Sequence, residues 1–358
     1  MPHAPAHVPA GMIDCAAFCF RTHTAGRSAM LHRRKSLGKS LTAAAGLLLA
    51  LSTHLGAETK RFKPTTGVQT FAVREPVLRL NPGDIVETET LYGGYYARAG
   101  GEWPGEVGPF YIEGATTNDT LAVKILRLHP NRDHAVSTHT PGFISAIASD
   151  RYTRMLNPPI PARRYVWRLE KNGTLGVLDL PESKKRLEVP LSPMLGRVAV
   201  APEGEQAWAG LWPGNFGGNM DVSDVAEGAT LYLPIFHDGA YFYFGDGHAL
   251  QGDGELCGSG LETTMEVIFQ FDVIKGRKLA WPRIETSEFI MTIGSVRPLS
   301  DALRIAAVEM VEWLEADYKF DKWEAYQTVS QLTQIRVANM VDPNYAVVVK
   351  MPKRYLPR

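Results

Sequence analysis

Hydrophobic and polar residues alternate in short runs along most of this chain, and turn-forming residues break the runs. Val77-Leu-Arg-Leu80 leads through Asn81-Pro-Gly-Asp84 into Ile85-Val-Glu-Thr-Glu-Thr90. This predicts strand, tight turn, strand: Pro and Gly fix the turn geometry, and β-branched residues suit a pleated surface. Gly108-Pro-Phe-Tyr-Ile-Glu-Gly114 and Leu121-Ala-Val-Lys-Ile-Leu126 continue the pattern, joined by Thr116-Thr-Asn-Asp119. Arg164 to Leu169, Lys171-Asn-Gly173 and Leu175 to Leu178 predict a hairpin, because Asn-Gly supplies the positive φ of its turn. Further strands are predicted at Thr230 to Leu233, Tyr241 to Phe244, Met265 to Val273 and Ala346 to Val349. Turn signals spaced about 8–12 residues apart point to a sandwich or barrel.

Helical periodicity appears only late. Leu303, Ala306, Ala307, Met310, Val311 and Leu314 recur at helical spacing behind Ser300-Asp301, which predicts a helix capped by those two residues. A second helix is expected from about Lys322 to Met340, stopping near Pro343. The predicted fold is mostly β, with two sandwich- or barrel-like subdomains over residues 58–190 and 191–358 and a small helical pair near the C-terminus.

Composition is that of an ordinary folded protein, with 45% hydrophobic and 21% charged residues among 358. It changes the picture only at the N-terminus. Residues 1–57 hold six basic side chains and one acid, leaving 32 basic and 37 acidic of the chain's 38 and 38 for the rest. A mildly acidic body without a basic cluster argues against nucleic-acid binding. Arg33-Arg-Lys35 and Lys39 precede a short apolar run, Leu41 to Leu51, too short to span a bilayer. The segment therefore reads as a cleaved signal of loosely twin-arginine type, begun at Met30 and cut after Ala57. It predicts a periplasmic or secreted protein with no membrane anchor once cleaved. Cleavage would remove Cys15 and Cys19, leaving Cys257 with no partner for an internal disulfide.

The segment best equipped for chemistry is Gly245-Asp-Gly-His-Ala-Leu-Gln-Gly-Asp-Gly-Glu255. Three carboxylates and an imidazole on a glycine-rich, flexible loop can gather around one cation or one scissile bond. His248, with carboxylates at i−2 and i+5, is the leading metal-ligand candidate among the five histidines after residue 57. Asp246 and Asp253 join it, and Asp221 follows Gly217-Gly-Asn-Met220, whose glycines let Asn219 and Asp221 reach a shared site. Glu255 and Glu113 are the acid/base candidates, Glu113 because it ends an apolar strand where burial favours the protonated form. Glu262 is a further option. Two rival readings remain open: Cys257 as a nucleophile with His248 as its base, and a calcium ion held structurally by the acidic loop.

Four stretches together resemble the acetamidase/formamidase family: Gly108 to Ala115, Gly196-Arg-Val-Ala-Val-Ala-Pro202, Gly217-Gly-Asn-Met-Asp221, and Gly245 to Gly258. The resemblance extends from Pro82-Gly-Asp84 to Met351-Pro-Lys353. It implies a mostly β fold of two β subdomains, an oligomeric assembly, a divalent metal (zinc in the first place), and hydrolysis of short linear amides to carboxylate and ammonia. One departure stands out. Where many relatives carry an Asp-Ala-Gly-Gly-like segment, this chain has Thr90-Leu-Tyr-Gly-Gly94; if that aspartate serves the chemistry or the pocket, its loss points away from formamide and acetamide themselves, within the formamide- and acetamide-like amides that the resemblance implies. Tyr92, Tyr95, Tyr96, Trp103, Trp208, Trp212 and Phe216 lie in loops near the motifs and are candidates to line a less polar pocket.

Overall fold

Two large sheets carry the molecule. A computed structural model describes residues 57–139 and 161–357. The expected signal, residues 1–57, lies outside the described residues except for Ala57.

The larger sheet has nine strands in the order Thr59–Arg61, Ile85–Glu89, Met265–Ile274, Thr120–Pro130, Thr230–Pro234, Arg283–Glu285, Phe289–Val296, Tyr345–Pro352 and Gln334–Asn339. A five-stranded sheet runs Gly217–Asn219, Met194–Ala199, Phe242–His248, Val107–Ile112 and Leu78–Leu80. The two sheets meet through a phenylalanine core. Phe242 and Phe244 face Phe271 and Phe269 across the interface, with ring centroids 5.1 and 5.0 Å apart in edge-to-face geometry. That geometry is the one the ring quadrupoles favour. A smaller sheet of Arg186–Pro190, Leu175–Asp179, Arg163–Glu170 and His134–His139 adds the predicted hairpin. Strands from both sides of residue 190 share the nine-stranded and five-stranded sheets, so the boundary expected there does not separate two sheets.

The helical pair is present, with different limits. The first helix spans Leu299–Tyr318 and is entered from Pro298, with no side-chain cap. Ser300 and Asp301 therefore lie inside its first turn rather than capping it, where Asp301 still favours the positive end of the helix dipole. Buried Ala306, Met310, Trp313 and Leu314 of this helix pack on Ile290, Val349 and Met351 of the large sheet. The second helix spans Lys322–Leu332 and is opened by a capping box of Asp321 and Glu324. It does not reach Met340. Thr333 turns extended, and Ile335 and Val337 pair with Val349 and Val347 in an antiparallel ladder. Their β-branched side chains fit that ladder better than another helical turn. No helix of the described residues is long and apolar enough to cross a membrane.

Candidate active site

The Gly-Asp-Gly-His segment is a strand, not a loop. Phe242–His248 is buried at all seven positions and pairs with Met194–Ala199, placing Arg197 opposite Gly245 and Met194 opposite His248. Two-residue periodicity then puts Asp246 and His248 on one face. On the other side of Arg197 lies Asn219, its partner in the antiparallel pairing with Gly217–Asn219, and Asp221 follows two residues on. Glu106 enters from just before Val107–Ile112, Glu255 from a tight turn after Phe242–His248, and Glu262 from a bridge to His248 and Val136. Asn339 ends the strand Gln334–Asn339, and Asp342 lies in the connection to Tyr345–Pro352.

Three carboxylate-bearing residues here take left-handed backbone: Asp221 at φ 49°, Asp246 at φ 59° and Glu255 at φ 48°. Such a conformation costs a residue with a Cβ about 1–2 kcal/mol. The surrounding packing must hold it, and it aims the carboxylates inward. Gly196 makes the room. A Cβ there would sit 2.4 Å from Asp221 Oδ1 and 2.7 Å from Asp246 Oδ2.

The result is a concentration of buried charge. Glu106, Asp221, Asp246, Glu255, Glu262 and Asp342 are all buried, and the cationic groups buried beside them are Arg197 and His248. Arg197 donates from Nε to Asn219 Oδ1 at 2.7 Å and from Nη1 to Glu106 Oε1 at 2.7 Å, and its Nε lies 3.3 Å from Asp246 Oδ2. Burial opposes its charge, but Asp246 and Glu106 hold its pKa well above the ordinary value. Burial likewise opposes ionisation of Asp246, yet Arg197 and His248 overcome it and keep this carboxyl below its usual range. The other acids go the opposite way. Burial, then the neighbouring Asp221 carboxylate, raises both Glu255 and Asp342 well above the ordinary range. Glu262 is pushed up to about 7 by burial, with His248 pulling the other way. Burial, followed by Asp246, raises Asp221. Burial and neighbouring charge thus push Asp246 one way and the acids around it the other, the separation that general acid/base chemistry uses.

His248 is held by Gln251. Nδ1 lies 2.8 Å from Gln251 Oε1, while Gln251 Nε2 donates to the carbonyl oxygens of Asp221 at 2.7 Å and Ala338 at 3.1 Å. Those two donations fix which end of the amide faces the ring, so Nδ1 carries a proton and donates it to Oε1. Nε2 then faces Asp246 Oδ1 at 3.3 Å and Glu262 Oε1 at 3.1 Å. Close as these oxygens are, Nε2 makes no well-aligned hydrogen bond, and Asp221 Oδ1 and Glu262 Oε2 are buried without a partner too. Burial opposes protonation of the ring, but Glu262 and Asp246 hold its pKa well above the usual value, so Nε2 faces oxygens that favour a positive charge there. Among the described residues, two groups have donor atoms close enough for one metal ion, Asp246 with His248 and Glu262, and Asp221 with His248 and Glu255, the atoms of each group lying within 4.8 Å of one another.

The cluster opens into a cavity of about 470 Å³ lined by Arg197, Asn219, Asp246, Glu255, Glu262 and Asp342 and also by Tyr95, Trp103, Thr138 and Leu211. Of the aromatic residues expected to line a pocket, Tyr95 and Trp103 do; Tyr96 is buried behind them, with its ring 5.7 Å from Trp103. Trp208 and Phe216 line a different, smaller cleft.

Three sequence candidates fall outside the cluster. Glu113 stands at the surface, its side chain 45% exposed and paired with Arg79 at 3.2 Å, because its strand ends at Ile112 and the next residue is already in the turn. Asp253 is exposed and ion-paired with Arg336. Cys257 is also exposed, and its thiol contacts Ser259, not an imidazole. Conversely, Glu106, Arg197, Gln251, Asn339 and Asp342 belong to the site and were not foreseen. Gln251 lies in the Gly245–Glu255 segment but carries no charge to mark it, whereas Glu106, Arg197 and the Asn339–Asp342 pair come from other parts of the chain. An arginine directly before the apolar run Val198 to Ala201, within the Gly196 to Pro202 stretch, was the available signal.

A sequence model of the acetamidase/formamidase family matches residues 192–356. An acetamidase from Mycolicibacterium smegmatis is 35% identical over 89 residues, and a Schizosaccharomyces pombe protein named as a formamidase is 24% identical over 212. These matches take in 24% and 47% of this chain, and they span 21% and 51% of the two curated relatives. The crystal structure of an acetamidase from Yersinia enterocolitica superposes with a TM-score of 0.76 at 34% identity, covering 84% of this chain and 93% of that one. At that identity, over nearly the whole of the solved acetamidase, this chain belongs to the acetamidase/formamidase family.

Proposed function

We propose that this protein is an exported, metal-dependent hydrolase of linear amides that releases a carboxylate and ammonia, with zinc as its metal. The observation that carries the reading is His248 Nε2, buried and aimed at two carboxylates while Nδ1 is committed to Gln251. Asp246, His248 and Glu262 would hold the ion, with the unpartnered Oδ1 of Asp221 as a further donor. A mixed imidazole and carboxylate set suits zinc, whereas calcium takes oxygen ligands. The excess of buried carboxyl groups over buried cations supports the same reading, since uncompensated charge in a dry interior is costly.

Amide hydrolysis is hard because resonance stabilises the carbonyl and the amine leaves badly. Bound zinc supplies Lewis acidity and brings the pKa of water to about 7. The protein supplies the rest. Arg197, a fixed guanidinium on the cavity wall, orients the amide oxygen and favours the charge that develops there. Glu255 on the same wall, its pKa raised by burial and then by Asp221, gives a proton to the nitrogen as the carbon–nitrogen bond breaks and recovers one from the attacking water. Cys257 takes no part in this scheme.

Metal analysis of the purified protein, paired with ammonia release from a panel of amides before and after chelation, tests the reading. Zinc near one per chain and activity restored by zinc are expected. Bound calcium with no turnover would overturn it. Export and oligomeric assembly belong to the same proposal. An intact mass lacking residues 1–57 and light scattering above the monomer mass are the expected results. A cytoplasmic protein that keeps Lys35 would end the export part.

A further inference from the structure

We infer that the preferred substrates are neutral primary amides of bulky acids of the arylacetic type, docked against Trp103. This deepens the amide-hydrolase reading and rests on it.

Size comes first. The cavity of about 470 Å³ beside the cluster lies in the range of sites for drug-sized ligands, about 300–1,000 Å³. Formamide and acetamide have three and four heavy atoms and fill only a few water volumes, on the order of 30 Å³ each. They would leave most of that space to solvent. If ammonia is the leaving group, the spare volume has to be taken by the acyl side.

The lining says what kind of acyl group. Tyr95, Trp103 and Leu211, all partly exposed, line the cavity together with the carboxyl groups. Trp103 is a rigid wall. Its Nε1 donates to Glu106 Oε1 at 3.0 Å, its carbonyl oxygen accepts from Gln69 Nε2 at 3.0 Å, and the Arg197 guanidinium sits 4.4 Å from its ring centre. Tyr95 meets it edge-on with centroids 5.3 Å apart and is itself tied through its hydroxyl to Thr138. An indole fixed on this many sides presents an aromatic surface without further loss of side-chain freedom, the condition under which apolar contact adds most to binding. The charge balance narrows the class again. The cation among the described lining residues, Arg197, is already paired with Glu106 and Asp246, so nothing there compensates a carboxylate on the acyl group, and the bulky group is neutral.

The test uses the zinc-loaded enzyme and ammonia release from formamide, acetamide and phenylacetamide. The expected result is a kcat/KM for phenylacetamide at least about tenfold above that for acetamide, the scale on which a fitted apolar pocket discriminates. Leu211→Trp, which fills the cavity from a partly exposed position, should lower the phenylacetamide-to-acetamide ratio about tenfold. Acetamide or formamide hydrolysed better than phenylacetamide would overturn the inference and leave the amide-hydrolase reading standing. A Leu211→Trp variant with an unchanged ratio would also overturn it, because the cavity would then not be selecting. No ammonia from any amide would remove the underlying reading and the inference with it.

Discussion

Gln251 Oε1 accepts from His248 Nδ1 at 2.8 Å while Gln251 Nε2 donates to the carbonyl oxygen of Asp221 at 2.7 Å. One amide thus sets the tautomer of the imidazole and the backbone position of the nearest aspartate. Three separate parts of the chain are joined there, since the same Nε2 also reaches Ala338 next to Asn339. Asn339 Nδ2 in turn donates to Asp221 Oδ2 and Asp342 Oδ2, each at 2.5 Å. The site is cross-linked through amide side chains, which fix carboxylates without adding charge to an already anionic interior.

Gln251→Leu should therefore weaken metal binding about 10–100-fold, the usual cost of removing the group that orients a ligating histidine. The fold should persist, and saturating zinc should restore part of the rate. A competition titration against a chelator gives the affinity. Unchanged affinity in Gln251→Leu would mean that His248 is not oriented for a metal.

His248→Ala and Asp221→Ala should both abolish ammonia release and lower the metal content of the purified protein. Cys257→Ala should keep its rate, because the thiol is exposed and contacts only Ser259 among its described partners. A dead Cys257→Ala variant that retains its metal would favour a thioester route. His248→Ala with full metal and rate would displace the proposed centre.

Gly196→Ala is the sharpest steric test. The new methyl would lie 2.4 Å from Asp221 Oδ1 and 2.7 Å from Asp246 Oδ2, closer than any real contact, so both carboxylates must move. Displacements of about 1 Å at a reacting centre cost on the order of 100-fold in rate. We expect that loss in kcat/KM, with a circular-dichroism spectrum like that of the parent. An active Gly196→Ala enzyme would show that at least one of these aspartates is dispensable.

The strands were legible where alternation is strong, as in Ile85 to Thr90 and Met265 to Val273, because burial on one face imposes a period of two. The end of the second helix was not, since Gln334 to Asn339 becomes a strand only by pairing with a strand that follows it in sequence. The site divides in the same way. Asp221, Asp246, His248 and Glu255 were readable from glycine-spaced local motifs. Glu106 and Asp342 stood alone in sequence, and Arg197 lay in a family-like stretch without any acid beside it; strand pairing and the C-terminal turn bring the three together. Glu113 misled because a carboxylate at a strand end looks alike whether the next residue turns inward or outward.

Away from the site, Asp119 sets a pH dependence of stability. Its carboxyl lies below the ordinary value of 3.8, first through the Lys275 ammonium and the Gly276 N–H, against opposing burial, with Thr116 adding further bonds. The donors are close: Lys275 Nζ at 2.7 Å, Gly276 N at 2.8 Å and Thr116 N at 2.9 Å. A group with a lowered folded value binds fewer protons folded than unfolded, so its contribution is complete above the unfolded value and falls as pH drops through the folded one. Asp119→Asn should therefore lower the midpoint of thermal unfolding at pH 7, and the gap to the parent should close as pH is taken from about 4 downward. Lys275 is exposed, so salt should reduce its share of the gap, while the part due to the Gly276 and Thr116 N–H groups should survive. Melting curves across that range, at low and high salt, measure both shares. A gap that stays constant into acid would mean that Asp119 acts through packing and not through its charge.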